Sequence, residues 1–325
     1  SFGKEAYILT DYLNVPKILE ITLNNGIDPV TGKKAGIATG DPRDFEGYED
    51  LYEAFKRQLN FIVETKVRVS NYIDRMFAKY APAPFLSVVI EDCISKGRDY
   101  YDGGPRYNTN YIQCTGLGTT TDSLAVLKKH VFEDQAFSME RILDAVAKNF
   151  EGEEFLRQTV LNKTPFFGND DDYADDLALT IYHDLLDAID GKPNVKGETF
   201  HLNMLSTTCH IYFGKVMGAT PNGRLAGKSI SDGTSPSHGA DTHGPSAVIR
   251  SLTDTPICIG ILLIFSAIIG LIALALGVRF SAGVSGFLLI TLIAGLFGAA
   301  MAGVSLSIAV LFKSFDALHP LLNFL

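Results

Sequence analysis

A thiol beside an imidazole is a pairing that could carry nucleophilic chemistry. Cys209 and His210 are adjacent, with Thr207 and Thr208 before them and His201 further upstream. A cysteine and a histidine act as nucleophile and base when the ring reaches the thiol. Residues 207–213, TTCHIYF, read as a β-branched and aromatic strand. Neighbours on a strand face opposite ways, so the pair is poorly placed to share a proton. A core histidine with its ring satisfied is the plainer reading. Glu91 and Asp92 offer an acid and a base at the end of the strand-like run 85–90, with capping or surface roles as the alternative. Residues 169–176, NDDDYADD, carry enough carboxylates for calcium, yet lack the sixth-position glycine and closing glutamate of an EF-hand loop. They read better as a helix start, with Asn169 or Asp170 as cap and Leu177, Ile181, Leu185 and Ile189 as the buried stripe.

Residues 102–123, DGGPRYNTNYIQCTGLGTTTDS, are the stretch around which the rest is arranged. Five glycine or proline positions permit tight turns, and the Tyr, Asn, Thr and Gln between them supply hydrogen-bonding groups without charge. That composition suits the wall of a polar pocket. There is no GxxxxGK[ST] loop and no GxGxxG opening a helix, which argues against a nucleotide site here.

The elements that must position these residues follow from periodicity and punctuation. Pro16 sits like a first-turn proline before Ile18, Leu19, Ile21 and Leu23. Apolar residues at 51, 55, 59, 62, 63, 73, 76, 77 and 80 predict a long amphipathic helix over 48–80, ended by Pro82 and Pro84. FLSVVI, 85–90, then predicts a buried strand. Helices are expected over 124–132, 139–150 and 153–163. The Gly-, Ser- and Pro-rich stretch 221–245 is read as a folded loop system around a pocket.

Of 65 charged residues only Arg279, Lys313 and Asp316 lie beyond position 256. Residues 1–253 are therefore expected to form an acidic globular part, and 254–325 a separate hydrophobic segment. Within the latter, 257–278 and 281–312 carry no charge, and about 20 apolar residues cross a bilayer. A two-helix transmembrane hairpin over 257–312 is expected, with Gly295, Ala299 and Gly303 on a close-packing face. The net charge of −9 without any basic run argues against nucleic acid. Cys93, Cys114, Cys209 and Cys258 stand singly, which fits a reducing compartment and no metal site. The globular part is expected in the cytoplasm. No secretory leader is visible, and the chain is expected to begin within a longer protein.

GKEAYILTDYLNVPKILEITLNNG at the start, GGPRYNTNYIQCTGLGTTTDSL in the middle and PNGRLAGKSISDGTSPSHGADTHGPSAVIRS near residue 250 together resemble the glycyl radical enzymes of the pyruvate formate-lyase type. The likeness runs to about Ser251 and points to the branch that dehydrates trans-4-hydroxy-L-proline. It implies an α/β fold: part of a barrel of two half-sheets wrapped by helices, followed here by the all-α hairpin. It also implies anaerobic radical lyase chemistry. A backbone glycyl radical, installed by a radical-SAM activating enzyme, generates a cysteine thiyl that takes a hydrogen from a small hydroxylated substrate, and water leaves. No bound cofactor is expected, and a homodimer is compatible with the family. By motif, Tyr12, Thr207 and Cys209 match positions lining the substrate pocket, with a buried, satisfied tyrosine as the plain alternative for Tyr12. Arg106, Asn108, Asn222 and Arg224 match positions expected to hold loops.

Two motifs of the family are not found in these residues: the GCxE-type thiyl cysteine and the RVxGY-type radical glycine. RVSNY, 68–72, has Asn71 in the glycine's place, and VRFSAG, 278–283, falls at a break between the apolar runs. The reading is therefore part of a dehydratase barrel without catalytic residues of its own, inactive alone and joined to a membrane segment in the manner of a chimera. A membrane-anchored, non-catalytic binding protein is the alternative. Another glycyl radical lyase, acting on glycerol, a diol or choline, is a second one.

Overall fold

The computed structural model describes residues 3–6 and 8–253. In chain order it holds β1 (Ile8–Asn14), α1 (Val15–Thr22), α2 (Tyr48–Tyr80), α3 (Pro84–Val89), α4 (Cys93–Lys96), β2 (Asn110–Thr115) and α5 (Leu117–Leu127). A π-helical turn (Lys128–Glu133) leads to α6 (Met139–Ala147), α7 (Glu154–Lys163), α8 (Asp172–Ile189), β3 (Phe200–Asn203), α9 (Cys209–Lys215) and α10 (Pro245–Thr253). Among the described residues, 3–167 and 172–238 make one compact unit, and 168–171 with 239–253 belong to a second.

The first unit is built on a parallel sheet of order β1-β2-β3. Register pairs Tyr12 with Gln113 and Gln113 with Asn203, and two rows later Asn14 with Thr115. Central β2 is buried at five of its six positions, as expected of a parallel strand covered on both faces. Asn14 closes β1 and opens α1, its Oδ1 accepting from Lys17 N at 3.2 Å with Pro16 in the first turn. The α/β expectation holds. Where two half-sheets were expected of the full barrel, the described strands form one parallel sheet.

Helix α2 runs 33 residues, from Asp50 accepting from Gly47 N at 3.1 Å. Only its first half buries the expected stripe: Leu51, Phe55, Leu59 and Val63 are 0–1% exposed, whereas Ile73, Met76, Phe77 and Tyr80 are 39–64% exposed. The stripe predicted for α8 is buried throughout. Two expected strands are helices instead. At 85–90, Pro84 presets the first turn of α3, and Asp99 accepts from Ala83 N and Ser87 Oγ (2.9 and 2.8 Å). Phe85, Val88 and Val89 stay exposed, so the run never becomes a core strand. At 207–213, contacts from the 228–232 loop hold α9, overriding the β propensity of its residues. The helix expected over 124–132 starts earlier, inside the glycine- and threonine-rich stretch.

In the second unit Asn169 donates to Ala240 O and accepts from His243 N (2.8 and 3.0 Å), and Asp170 pairs with Arg250 at 2.7 Å. Among the described residues no helix is long and apolar enough to cross a membrane. The expected hairpin, 257–312, lies outside them.

Candidate active site

Side chains alternate along a strand, so Tyr12 and Asn14 of β1 and Gln113 and Thr115 of β2 share one face of the sheet. The opposite face carries Asp11, paired with Lys66 of α2 at 2.8 Å, and Leu13, which is 1% exposed. On the first face Thr115 Oγ1 lies 3.2 Å from Cys209 Sγ, and Cys209 Sγ lies 2.8 Å from Thr207 Oγ1. A chain of neutral hydrogen-bonding groups thus joins the end of β2 to the start of α9. Gln113 extends it, donating from Nε2 to Leu205 O at 2.6 Å. Its Oε1 is buried with no partner among the described residues, an acceptor left open beneath this face. Tyr12 is 40% exposed, and its hydroxyl has no partner among the described residues.

The loops behind this face are fixed in place. Thr207 N donates to Asp232 Oδ1 at 2.9 Å, and the ring of His210 reaches Thr207 O at 2.7 Å, with Asp232 3.6 Å away. The ring therefore turns to backbone and carboxylate, while Cys209 turns to two threonines. The Cys/His pair stays apart, by divergence on a helix rather than on the strand expected. Thr119 and Ser231 bond each other's backbone amides at 2.8 and 2.9 Å, sealing the 229–237 loop onto α5. Arg224 ties the 218–228 loop together, donating to Thr220 Oγ1 and to the carbonyls of Gly218, Leu225 and Lys228. Burial pushes its guanidinium down to about 10, against the opposing charge of Glu20. Arg106 clamps Glu91 and Asp92 at 2.7 and 3.1 Å, and so occupies the supposed acid–base pair with an exposed ion-pair cluster.

The site is therefore a neutral, hydrogen-bonding wall that can orient a small polar molecule. Among the described residues no group of three or more His, Cys, Asp or Glu could hold a metal ion. The structure brings Thr207 and Cys209 together, and sets Tyr12 on the sheet face that Thr115 and Cys209 share. Gln113, Thr115 and Asp232 were not singled out from sequence. Gln113 and Thr115 lie two apart within the polar stretch, a readable signal, whereas Asp232 is recognisable only from the fold.

The pyruvate formate lyase-like family model matches residues 1–214. Trans-4-hydroxy-L-proline dehydratase of Clostridioides difficile is 53% identical over 250 residues, 77% of this chain and 32% of that protein. Isethionate sulfite-lyase of Oleidesulfovibrio alaskensis is 36% identical over 74% of this chain and 29% of its own length. Among solved structures, the Clostridioides difficile hydroxyproline dehydratase with trans-4-hydroxy-L-proline bound superposes with a TM-score of 0.76 at 52% identity, over 78% of this chain and 32% of that one. The glycerol-bound, B12-independent glycerol dehydratase of Clostridium butyricum gives 0.73 at 32%, over 77% and 32%. The chain spans about a third of the length of the relatives it matches.

Proposed function

We propose that this chain, which belongs to the pyruvate formate lyase-like family, forms one wall of the substrate pocket of a glycyl radical dehydratase that takes trans-4-hydroxy-L-proline. Identity of 53% to a hydroxyproline dehydratase carries this reading, against 36% or less to relatives named for isethionate, sulfopropanediol or indoleacetate. The neutral wall supports it, since a cyclic amino acid bearing a hydroxyl needs several donors and acceptors in fixed positions. Tyr12, Thr207 and Cys209 are the residues proposed to meet the substrate, with Gln113 and Thr115 setting their positions. A closed pocket of such groups keeps water from the reacting carbon.

In this family a glycyl radical, installed by an activating enzyme of the radical-SAM class, generates a cysteine thiyl, and the thiyl takes hydrogen from the substrate. The described residues do not fit that radical. Asn71 of RVSNY lies within α2, its side chain bonded to Pro193 O and Val195 N, and VRFSAG lies outside the described residues. Cys93 and Cys114 are buried away from this face, and Cys209 is held between two threonines. No step is therefore assigned through a radical on these residues. The 325 residues alone are proposed to be inactive, and 257–312 to anchor them in a membrane.

Saturation-transfer NMR tests the pocket. Trans-4-hydroxy-L-proline should show transfer from the chain, in preference to the cis isomer and to glycerol, and Thr207→Val or Tyr12→Ala should abolish it. Equal transfer to all three ligands, or transfer untouched by either substitution, overturns the reading.

A further inference from the structure

Glu64, Arg68, Asn71, Tyr72 and Arg75 recur at three- and four-residue steps and share one face of α2. Across from them Lys192, Pro193 and Val195 complete a groove of about 460 Å³. Asn71 builds it: Nδ2 donates to Pro193 O at 3.1 Å, and Oδ1 accepts from Val195 N at 3.0 Å, clipping the facing loop to the helix. The backbone of Lys192 is fixed too, its carbonyl accepting from Phe200 N at 2.8 Å. This loop enters β3, so the groove lies at the opposite end of that strand from Asn203 and α9.

The groove's charge stands out in a chain of net charge −9. Three cations line it against the single carboxylate of Glu64. Among the described residues Arg75 and Lys192 have no side-chain partner, and Arg68 reaches only Thr65 Oγ1 at 3.4 Å. Glu64 repels anions at one end, so the favourable field covers the stretch from Arg68 to Arg75, about 10.5 Å of helix axis. Arg68 and Arg75 thus stand two turns apart on one face, and their long side chains can converge on two or three linked phosphates. Guanidinium forks match phosphate oxygens two at a time, and the lysine adds a point charge from the facing wall. Tyr72, 63% exposed between the two arginines, presents a ring on which a flat base can stack.

We propose that this groove binds a nucleoside oligophosphate, with its phosphates on Arg68, Arg75 and Lys192 and its base on Tyr72. The inference is independent of the hydroxyproline reading, because no residue is common to the two sites.

Isothermal titration of the full chain in mild detergent tests it with ATP, pyrophosphate, inorganic phosphate and hexaglutamate. Affinity should fall in the order ATP, pyrophosphate, phosphate, and should weaken with added salt. Arg68→Ala combined with Arg75→Ala should weaken ATP and pyrophosphate by about tenfold or more, the scale of losing charge-assisted hydrogen bonds. Lys192→Ala, on the other wall, should weaken both, and Tyr72→Ala should weaken ATP alone. Arg68, Tyr72 and Arg75 are exposed and Lys192 is half-buried, and an unchanged melting profile verifies folding. Absence of ATP binding, ATP affinity unmoved by the arginine and lysine variants, or tighter binding of hexaglutamate overturns the proposal.

Discussion

Asp122 is wholly buried on α5, its Oδ1 accepting from Phe167 N at 2.9 Å and its Oδ2 without a partner among the described residues. Burial pushes its carboxyl up to about 7, while the Ser237 hydroxyl and the Phe167 amide hold it partly down. The folded state thus keeps a proton that the unfolded chain releases near pH 4, so stability from this group declines as pH rises from about 4 to about 7 and levels off above. Asp28 and Asp92 are held below the usual carboxylate range: at Asp28 burial is outweighed by hydrogen bonds from Lys17 and Thr31, and at Asp92 Arg106 dominates. They act in the opposite sense, at lower pH. Asp122→Asn keeps the acceptor for Phe167 and removes the titration. Its melting temperature relative to wild type should climb by on the order of 5 °C between pH 5 and pH 8, the size a few kcal/mol gives in a domain this large. A difference constant with pH would contradict this role. Nothing in the sequence distinguished Asp122 from the other carboxylates, since its burial comes from packing of distant segments. Pro16, by contrast, announced its place in α1, because a fixed φ acts locally.

The turn from β2 into α5 is the element on which the candidate site depends. Gly116 holds φ at +98° there, and a Cβ would meet the ring of Pro16 as well as Ile230. Gly116→Ala should cost on the order of 3 kcal/mol, from left-handed backbone strain plus overpacking, read by urea denaturation. Gly227 also has positive φ (+74°) but open space around it, so Gly227→Ala should cost only about 1 kcal/mol. Equal costs would show that the close approach to α1 is unimportant. Helices α2 and α8 were legible because their periodicity extends over many turns. The runs 85–90 and 207–213 read as strands yet fold as helices, because runs of only six or seven residues, mostly β-branched and aromatic, suit either state. Asp99 and Asp232, distant in sequence or fixed only by the fold, decide the outcome at these two places.

At the scale of the molecule, charge divides the chain: 62 of 65 charged residues lie in the first 256 positions. If 257–312 anchors the chain as proposed, the full protein should pellet with membranes at high speed and be released by detergent but not by alkaline carbonate. Recovery in the supernatant without detergent would contradict that. The family was legible because its motifs are long and ordered, whereas the loops of the pocket wall, 203–238, meet β1 and β2 only through contacts distant in sequence. Exchange of the matched 250 residues into Clostridioides difficile trans-4-hydroxy-L-proline dehydratase measures most directly whether this chain supplies that wall. Once activated anaerobically, the exchanged enzyme should show a glycyl radical signal and dehydrate trans-4-hydroxy-L-proline, with turnover lost in its Thr207→Val form. A folded, radical-bearing exchange enzyme that leaves trans-4-hydroxy-L-proline untouched would contradict the assignment.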